Sequence, residues 1–118
     1  MDWCIENDRP IWLQLYEQLT LRIVTGTYPM GSRIPAVREL AAEAGVNPNT
    51  MQRALAHLEE TGLAASNRTA GRTGTEDGER VNAIRMELAQ AQIRGYLQGM
   101  QVLGFTEAEA KALLVNEE

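Results

Sequence analysis

Residues 34–63 read IPAVRELAAEAGVNPNTMQRALAHLEETGL, and this stretch decides the fold of the chain. Its apolar residues recur at helical spacing in two short segments, the first after Pro35 and the second from Pro48. Between them, Gly45 is suited to ending a helix and Asn47 to capping the next one. Two short helices joined by such a tight turn predict a helix-turn-helix.

The second helix of this pair has an outward side with the chemistry of base recognition. When the apolar stripe from Met51 to Leu58 is buried, the opposite side of residues 48–60 carries amide and guanidinium groups. Asparagine and glutamine pair bidentately with adenine, and arginine pairs with guanine. A helical hairpin whose polar side only meets water is an alternative that these residues leave open. The candidate base readers are Asn49, Gln52 and Arg53.

The segments on either side of the helix-turn-helix differ in character. Upstream, residues 11–25 have one apolar face at helical spacing and predict a first helix, with Trp12 and Tyr16 among its buried side chains. Downstream, residues 64–78 are small and polar. Because they lack the Val, Ile or Phe that pack strands, they predict either a β-hairpin or a loop.

Residues 79–118 predict two helices that need a partner surface. A long helix extends to Leu103, Gly104 breaks it, and Thr106 to Glu109 match the capping box that opens a second helix. Two helices of this length cannot bury their apolar faces unaided, so they pack on the first domain or on another chain. We expect a two-fold homodimer. The candidate dimer residues are Ile84, Leu88, Ile93, Leu97, Met100, Leu103, Leu113 and Leu114.

Composition argues against catalytic and membrane functions. Of the 118 residues, 44% are hydrophobic and 23% are charged, which is ordinary for a soluble globular protein. No apolar run approaches the roughly 18 residues of a membrane span, and the N-terminus does not resemble a secretory signal. With one cysteine, Cys4, and one histidine, His57, few metal or imidazole-based sites can be assembled. We expect no catalytic residue, metal or cofactor, a cytoplasmic location and a solvated His57.

The net charge of −5 counts against nucleic acid as a partner, because DNA-binding domains usually carry a basic face. The distribution of charge weakens this objection, since residues 33–72 hold five arginines and four glutamates and the acidity lies mostly at the two ends. The decisive question is whether the arginines share a surface. The charge also supports a rival function, a protein–protein adaptor that keeps the fold and binds a partner through an acidic surface.

Residues 34–63 and the segment before them resemble the winged helix-turn-helix of the GntR family of bacterial transcription regulators. The similarity rests on Pro-x-x-Arg-Glu-Leu, Gly-Val-Asn-Pro-Asn-Thr and Leu-Glu-x-x-Gly-Leu in that order, and it extends over residues 9–75. The two-helix tail is similar to the YtrA-like subfamily, whose members lack a large effector domain. Together these features imply a mainly α fold, with a winged helix-turn-helix domain at 1–78 and a two-helix dimerisation tail at 79–118. The implied function is a repressor that binds a two-fold double-stranded DNA operator as a homodimer.

The resemblance also implies particular DNA contacts. Arg38 lies where the family's second helix contacts the DNA backbone or a base, and residues 68–75, RTAGRTGT, are similar to the subfamily wing sequence Arg-Thr-Ser-Gly-Arg-Phe-Val-Thr. Thr73 and Gly74 replace the bulky pair of the second wing strand, which puts the order of that strand in question. Pro48 replaces the arginine that is usual in the recognition turn, so its guanine contact is absent. With Gln52 from the helix pattern, the expected DNA-binding residues are Arg38, Asn47, Asn49, Thr50, Gln52, Arg53, Arg68, Thr69, Gly71 and Arg72.

Simpler interpretations of these residues remain open at this point. Arg38 suits a surface salt bridge with Glu43, and Arg68 and Arg72 suit solvated loop charges. Residues 71–74 also match the G-x-x-G of an RNA-binding KH loop, although their flanks lack the strands of that domain. The sequence specifies no small-molecule effector. Since two helices predict no enclosed pocket, an effector site would lie between domains or between subunits.

Overall fold

The computed structural model describes residues 2–116 and is mainly helical with one β-hairpin, which confirms the predicted fold class. The chain divides into two compact units between Asn82 and Ala83, inside the long helix. In the described part of the chain, no helix combines the length and the apolar character that crossing a membrane requires. The elements are α1 (Ile11–Val24), α2 (Val37–Ala44), α3 (Pro48–Glu60), β1 (Ala64–Asn67), β2 (Gly71–Gly74), α4 (Gly78–Val102) and α5 (Glu107–Val115).

The core of the first unit is built from the apolar stripes of α1, α2 and α3. Trp12 and Tyr16 of α1, which the periodicity predicts to be buried, are only half-buried and lie at the rim of this core. The stripe of α3 is buried as predicted. Large side chains exposed by no more than 1% are Leu15, Leu19, Ile34, Leu40, Met51, Leu55, Leu58 and Leu63.

The residues before α1 are fixed to that helix by two glutamines one turn apart. The backbone N–H of Cys4 donates to Gln18 Oε1 at 3.0 Å, and Gln18 Nε2 donates back to the Cys4 carbonyl at 2.6 Å. Gln14 makes the same paired contact with the backbone of Glu6, at 2.7 Å in each direction. The glutamine amides therefore act as backbone-like partners for an extended N-terminal segment, a role that helical periodicity does not reveal.

A buried arginine joins this N-terminal segment to α2. The Arg22 guanidinium, on a residue only 4% exposed, lies 3.9 Å from the centre of the Trp3 ring, donates to the Tyr28 hydroxyl at 2.8 Å and pairs with Glu43 at 3.2 Å. Trp3 Nε1 also donates to Glu43 at 2.9 Å. The hydrogen bond from Trp3, followed by the contact with Arg22, holds the pKa of Glu43 below its usual range. Glu43 is therefore engaged away from Arg38, and the salt bridge considered between those two residues does not form.

The turn between α2 and α3 has the predicted geometry. Gly45 adopts a left-handed backbone conformation with φ of 70°, which glycine reaches without steric cost. Asn47 then caps α3, since its side-chain oxygen accepts the backbone N–H of Asn49 at 2.8 Å. Pro48 occupies the first turn, where its missing N–H removes no helical hydrogen bond. The predicted helix-turn-helix is confirmed.

The hairpin is ordered without bulky strand residues because both edges of β2 are hydrogen-bonded. Along one edge β2 pairs antiparallel with β1. Along the other, the Ile34 N–H donates to the Arg72 carbonyl and the Gly74 N–H donates to the Ser32 carbonyl, each at 2.9 Å. Thr73 and Gly74 therefore form a strand although they are small. The strand is held by main-chain hydrogen bonds, which do not depend on the size of the side chains. The G-x-x-G sequence lies in a strand rather than in the loop of a KH domain.

A carboxylate at the end of α3 ties the hairpin to the helix. Glu59 accepts a hydrogen bond from the Ser66 hydroxyl of β1 and pairs with Arg72 of β2 at 3.3 Å. These contacts, the Ser66 hydrogen bond foremost, hold the pKa of Glu59 below its usual range. The Glu59 carboxylate therefore stabilises the docked hairpin in its ionised form.

The second unit contains most of α4 together with α5. The predicted capping box is confirmed, with Thr106 and Glu109 exchanging hydrogen bonds at 3.2 and 2.8 Å. The Tyr96 hydroxyl donates to the Ala110 carbonyl at 2.6 Å and joins the two helices. No residue of α4 is buried, and in the described part of α5 only Ala110 is. The apolar side chains of this unit are therefore left largely uncovered in a single chain.

We predict that Glu59→Gln lowers the free energy of unfolding by about 0.5–1.5 kcal/mol at pH 7, because it removes the charge from two hydrogen bonds. A lowered folded-state pKa gives stability that is full above the unfolded pKa of about 4.5 and is lost as the pH falls through the folded value. The difference between wild type and variant should therefore shrink below pH 4.5. Urea denaturation of the full chain between pH 7 and pH 4 measures it. Glu60→Gln is the matched control, because among residues 2–116 the Glu60 carboxylate pairs with His57 and with no group of the hairpin. Equal losses in both variants would refute the role of Glu59.

Candidate nucleic-acid interface

The predicted base readers lie on the side of α3 that faces away from the core. Asn49, Gln52 and Arg53 are exposed, and Thr50 beside them is half-buried. Asn47 is exposed as well, but its side-chain oxygen is used in capping the helix. The start of α3 therefore presents two amides and one guanidinium to solvent, which is the donor and acceptor set that recognises purine edges in the major groove.

Arg53 lies against an aromatic ring of α1. Its guanidinium carbon is 4.3 Å from the centre of the Trp12 ring, within the range of a cation–π contact. No carboxylate pairs with Arg53 in the described part of the chain. Among residues 2–116, the charge of this arginine is therefore not neutralised by a carboxylate.

His57 is only partly solvated, since 35% of its side chain is exposed. Its ring packs edge-on against Trp12 and Tyr16, with ring centres 5.4 and 4.4 Å apart. Its Nδ1 is 3.1 Å from a carboxylate oxygen of Glu60. The prediction of a solvated residue considered α3 alone and missed these two rings, which belong to α1.

Two arginines near α3 are exposed and unpaired among residues 2–116. Arg38, on α2, makes no hydrogen bond or ion pair there and is available to an external anion. Arg33 was not predicted as a site residue. It forms an isolated bridge with Thr73, and its Nε is 3.7 Å from where a Cβ on Gly71 would lie, which places its side chain beside the hairpin. The signal that sequence analysis lacked is this pairing of the connector with β2.

Among residues 2–116, one arginine of the hairpin forms an ion pair and the other does not. Its turn is closed by Asn67, whose side-chain oxygen accepts the backbone N–H of Thr69 at 3.0 Å, and Gly71 follows with φ of 76°. Arg68 is exposed at this turn. Arg72, also predicted to contact DNA, pairs with Glu59, and its side chain is only 16% exposed. In this arrangement Arg72 anchors the hairpin, while Arg68 is the guanidinium at its tip.

The predicted dimer residues remain accessible on the second unit. Residues 83–116 also border an open cleft of about 620 Å³, lined in part by Arg94, Leu97 and Phe105. Ile84, Leu97 and Met100 are half-buried, and the exposed members are Leu88, Ile93, Leu103, Leu113 and Leu114. Single exposed apolar residues are common on monomers, whereas these side chains recur along α4 and α5.

The described residues contain no group of three or more His, Cys, Asp or Glu side chains able to hold a metal ion. Cys4 is a free cysteine and is exposed, and no hydrogen bond to its thiol is found among the described residues. The arginines and amides of α2, α3 and the hairpin supply hydrogen bonding and charge in this region.

Comparison with known proteins relates this geometry to a family. The model for bacterial regulatory proteins of the gntR family matches residues 12–73. The chain is 33% identical over 109 residues to the helix-turn-helix-type transcriptional regulator YhcF of Bacillus subtilis (strain 168), covering 92% of this chain and 90% of that one. It is 28% identical over 102 residues to the helix-turn-helix-type transcriptional repressor YtrA of the same organism, covering 81% and 78%. A solved GntR family transcriptional regulator from Listeria monocytogenes has a TM-score of 0.86 and 34% identity, covering 97% of this chain and 100% of that one.

These similarities extend over both units. The matched residues 12–73 contain the helix-turn-helix and nearly all of α1 and of the hairpin, and the likeness to the Listeria structure continues into the tail. The relatives are named as transcription regulators and not as enzymes. The chain therefore belongs to the GntR family of bacterial regulatory proteins, as a DNA-binding transcription regulator of the YtrA-like type.

Proposed function

We propose that this regulator represses transcription by binding as a homodimer to a two-fold DNA operator and occluding a promoter in the cytoplasm. The observation that carries the proposal is the outer side of α3, where Asn49, Gln52 and Arg53 are exposed immediately after a tight turn. A recognition helix needs side chains of this kind in its first half, because that half enters the major groove. The relative from Bacillus subtilis named a repressor supports the direction of regulation.

Different arginines serve different purposes in this proposal. Arg53 reads a base together with Asn49 and Gln52, whereas Arg38, Arg33 and Arg68 contact phosphates and fix the register of the domain on DNA. Thr50, Thr69 and the backbone at Gly71 add contacts to the DNA backbone. Asn47 and Arg72 support the interface from within, by capping α3 and by holding the hairpin on Glu59.

The second unit supplies the dimer. Exposed apolar side chains along α4 and α5 are costly in water and are covered when two copies pair through them. A two-fold dimer presents two α3 helices to two half-sites, so that operator symmetry mirrors protein symmetry. Because the second half-site binds at a high effective concentration, modest single-site contacts give a tight complex.

We expect Arg53→Ala to cost about 1–3 kcal/mol on the duplex that the wild-type chain selects from a random library, and to relax the preference at one base position. Arg38→Ala is the matched control, because it removes an exposed arginine proposed to contact phosphate. This control should weaken selected and random duplexes alike and reduce the salt slope by about one. Fluorescence anisotropy at several salt concentrations measures both. If Arg53→Ala lowers the affinity for the two duplexes equally, Arg53 contacts only phosphate. If the affinity of the wild-type chain for DNA does not depend on salt, the adaptor function is favoured.

We predict that Ile93→Asp converts the dimer to a monomer, because it places a charge in the paired apolar surface. Since Ile93 is 56% exposed in the single chain, the substitution leaves the fold of that chain intact. Affinity for the two-fold operator should fall by about 10²–10⁴ while affinity for a half-site stays the same. Sedimentation velocity and anisotropy measure the two effects. Leu21→Asp is the control, because Leu21 is a similarly exposed leucine of α1, and this variant should remain dimeric. A wild-type chain that sediments as a monomer at micromolar concentration would refute the proposed dimer.

A further inference from the structure

The contact between Trp12 and Arg53 joins the first turn of α1 to the proposed reading side of α3. The Arg53 guanidinium carbon is 4.3 Å from the centre of the Trp12 ring, and Trp12 is half-buried while Arg53 is exposed. The arginine therefore rests on a ring that is itself partly inside the protein. Its position depends on a helix that carries none of the proposed DNA contacts.

The Trp12 ring is held in place from α3 as well. His57, one turn beyond Arg53 on the same helix, meets the Trp12 ring edge-on at an interplanar angle of 82°. Tyr16 also packs against His57, and the centres of these two rings are 4.4 Å apart. Trp12 is thus part of a small aromatic cluster and offers a defined surface to Arg53.

An aromatic partner affects an arginine differently from a carboxylate. Arg9 and Arg72 pair with Glu17 and Glu59, so that their charge already has an ionic partner. A ring contacts the flat face of a guanidinium and leaves the N–H donors at its edge unoccupied. Arg53, with a ring and no carboxylate among residues 2–116, keeps its charge and its planar fork available for an acceptor pair.

We propose that Trp12 is a positioning residue that orients the Arg53 guanidinium for bidentate recognition of guanine. The proposal rests on the base-reading role proposed for Arg53. A free arginine side chain loses much rotamer freedom when it binds a base, and a side chain already held on a ring loses less. Arginine with guanine O6 and N7 is the commonest specific contact in the major groove. Specificity at one base pair then depends on a residue that does not touch DNA.

The test is Trp12→Leu in the full chain, which keeps apolar volume and removes the ring. Affinity for the duplex selected by wild type should fall by about 2- to 30-fold, the range of a cation–π contact. Affinity for a random duplex should stay the same. Selection with the variant should relax the preference at the same base position that Arg53→Ala relaxes, and the double variant should bind as Arg53→Ala does.

Two further variants separate positioning from a role in folding. Tyr16→Leu removes a half-buried ring one turn along α1 that contacts His57 and not Arg53, so it should keep base preference even if it lowers the unfolding temperature. Trp12→Phe keeps an aromatic face and should retain most of the preference. It also provides the measurement if Trp12→Leu fails to fold.

Three outcomes would overturn the proposal. An unchanged preference in both Trp12 variants would show that the ring does not orient Arg53, and a gain in affinity would show that it sequesters the arginine. Equal losses on selected and random duplexes, in Trp12→Leu and Tyr16→Leu alike, would leave only a structural role. If Arg53→Ala itself loses no specificity, the base-reading role of Arg53 is refuted. This result differs from one in which Arg53→Ala loses specificity and the Trp12 variants do not, which would refute only the positioning role of Trp12.

Discussion

Burial of one stripe of α3 is the constraint on which the rest of this molecule depends. Once Met51, Leu55 and Leu58 face the leucines of α1 and α2, the period of the helix leaves Asn49, Gln52 and Arg53 no place but the outside. The same packing brings the N-terminal turn of α1 to Arg53 and the end of α3 to the hairpin. One hydrophobic contact therefore sets both the stability of the domain and the direction of its polar groups.

The sequence predicts the elements well where the signals are local. Gly45, Asn47 and the box from Thr106 to Glu109 act within a few residues, so the helix-turn-helix and the last helix follow from their order alone. The features that the local patterns left open join distant segments. The hairpin depends on Ile34, and the environment of His57 depends on α1, so neither is visible in the pattern of one helix or strand. The predicted DNA and dimer contacts stay predictions.

The charge of the chain is informative only after its pairs are known. A net charge of −5 suggests a poor ligand for DNA, yet two carboxylates, those of Glu43 and Glu59, are bound to arginines that hold the fold together. Among residues 2–116, the exposed arginines of α2, α3 and the hairpin lack such partners. A phosphate backbone meets these local charges and not the total charge of the chain.

The hairpin illustrates how a fold can separate its own maintenance from its interactions. Main-chain hydrogen bonds on both edges of β2 keep the strand in place, and residues 68–70 at the tip are exposed and pack in no core. Substitutions at the tip therefore carry little penalty in folding. Over evolutionary time, such a segment can explore new sequences while the helices stay constant, so that related regulators diverge in their targets from a shared framework.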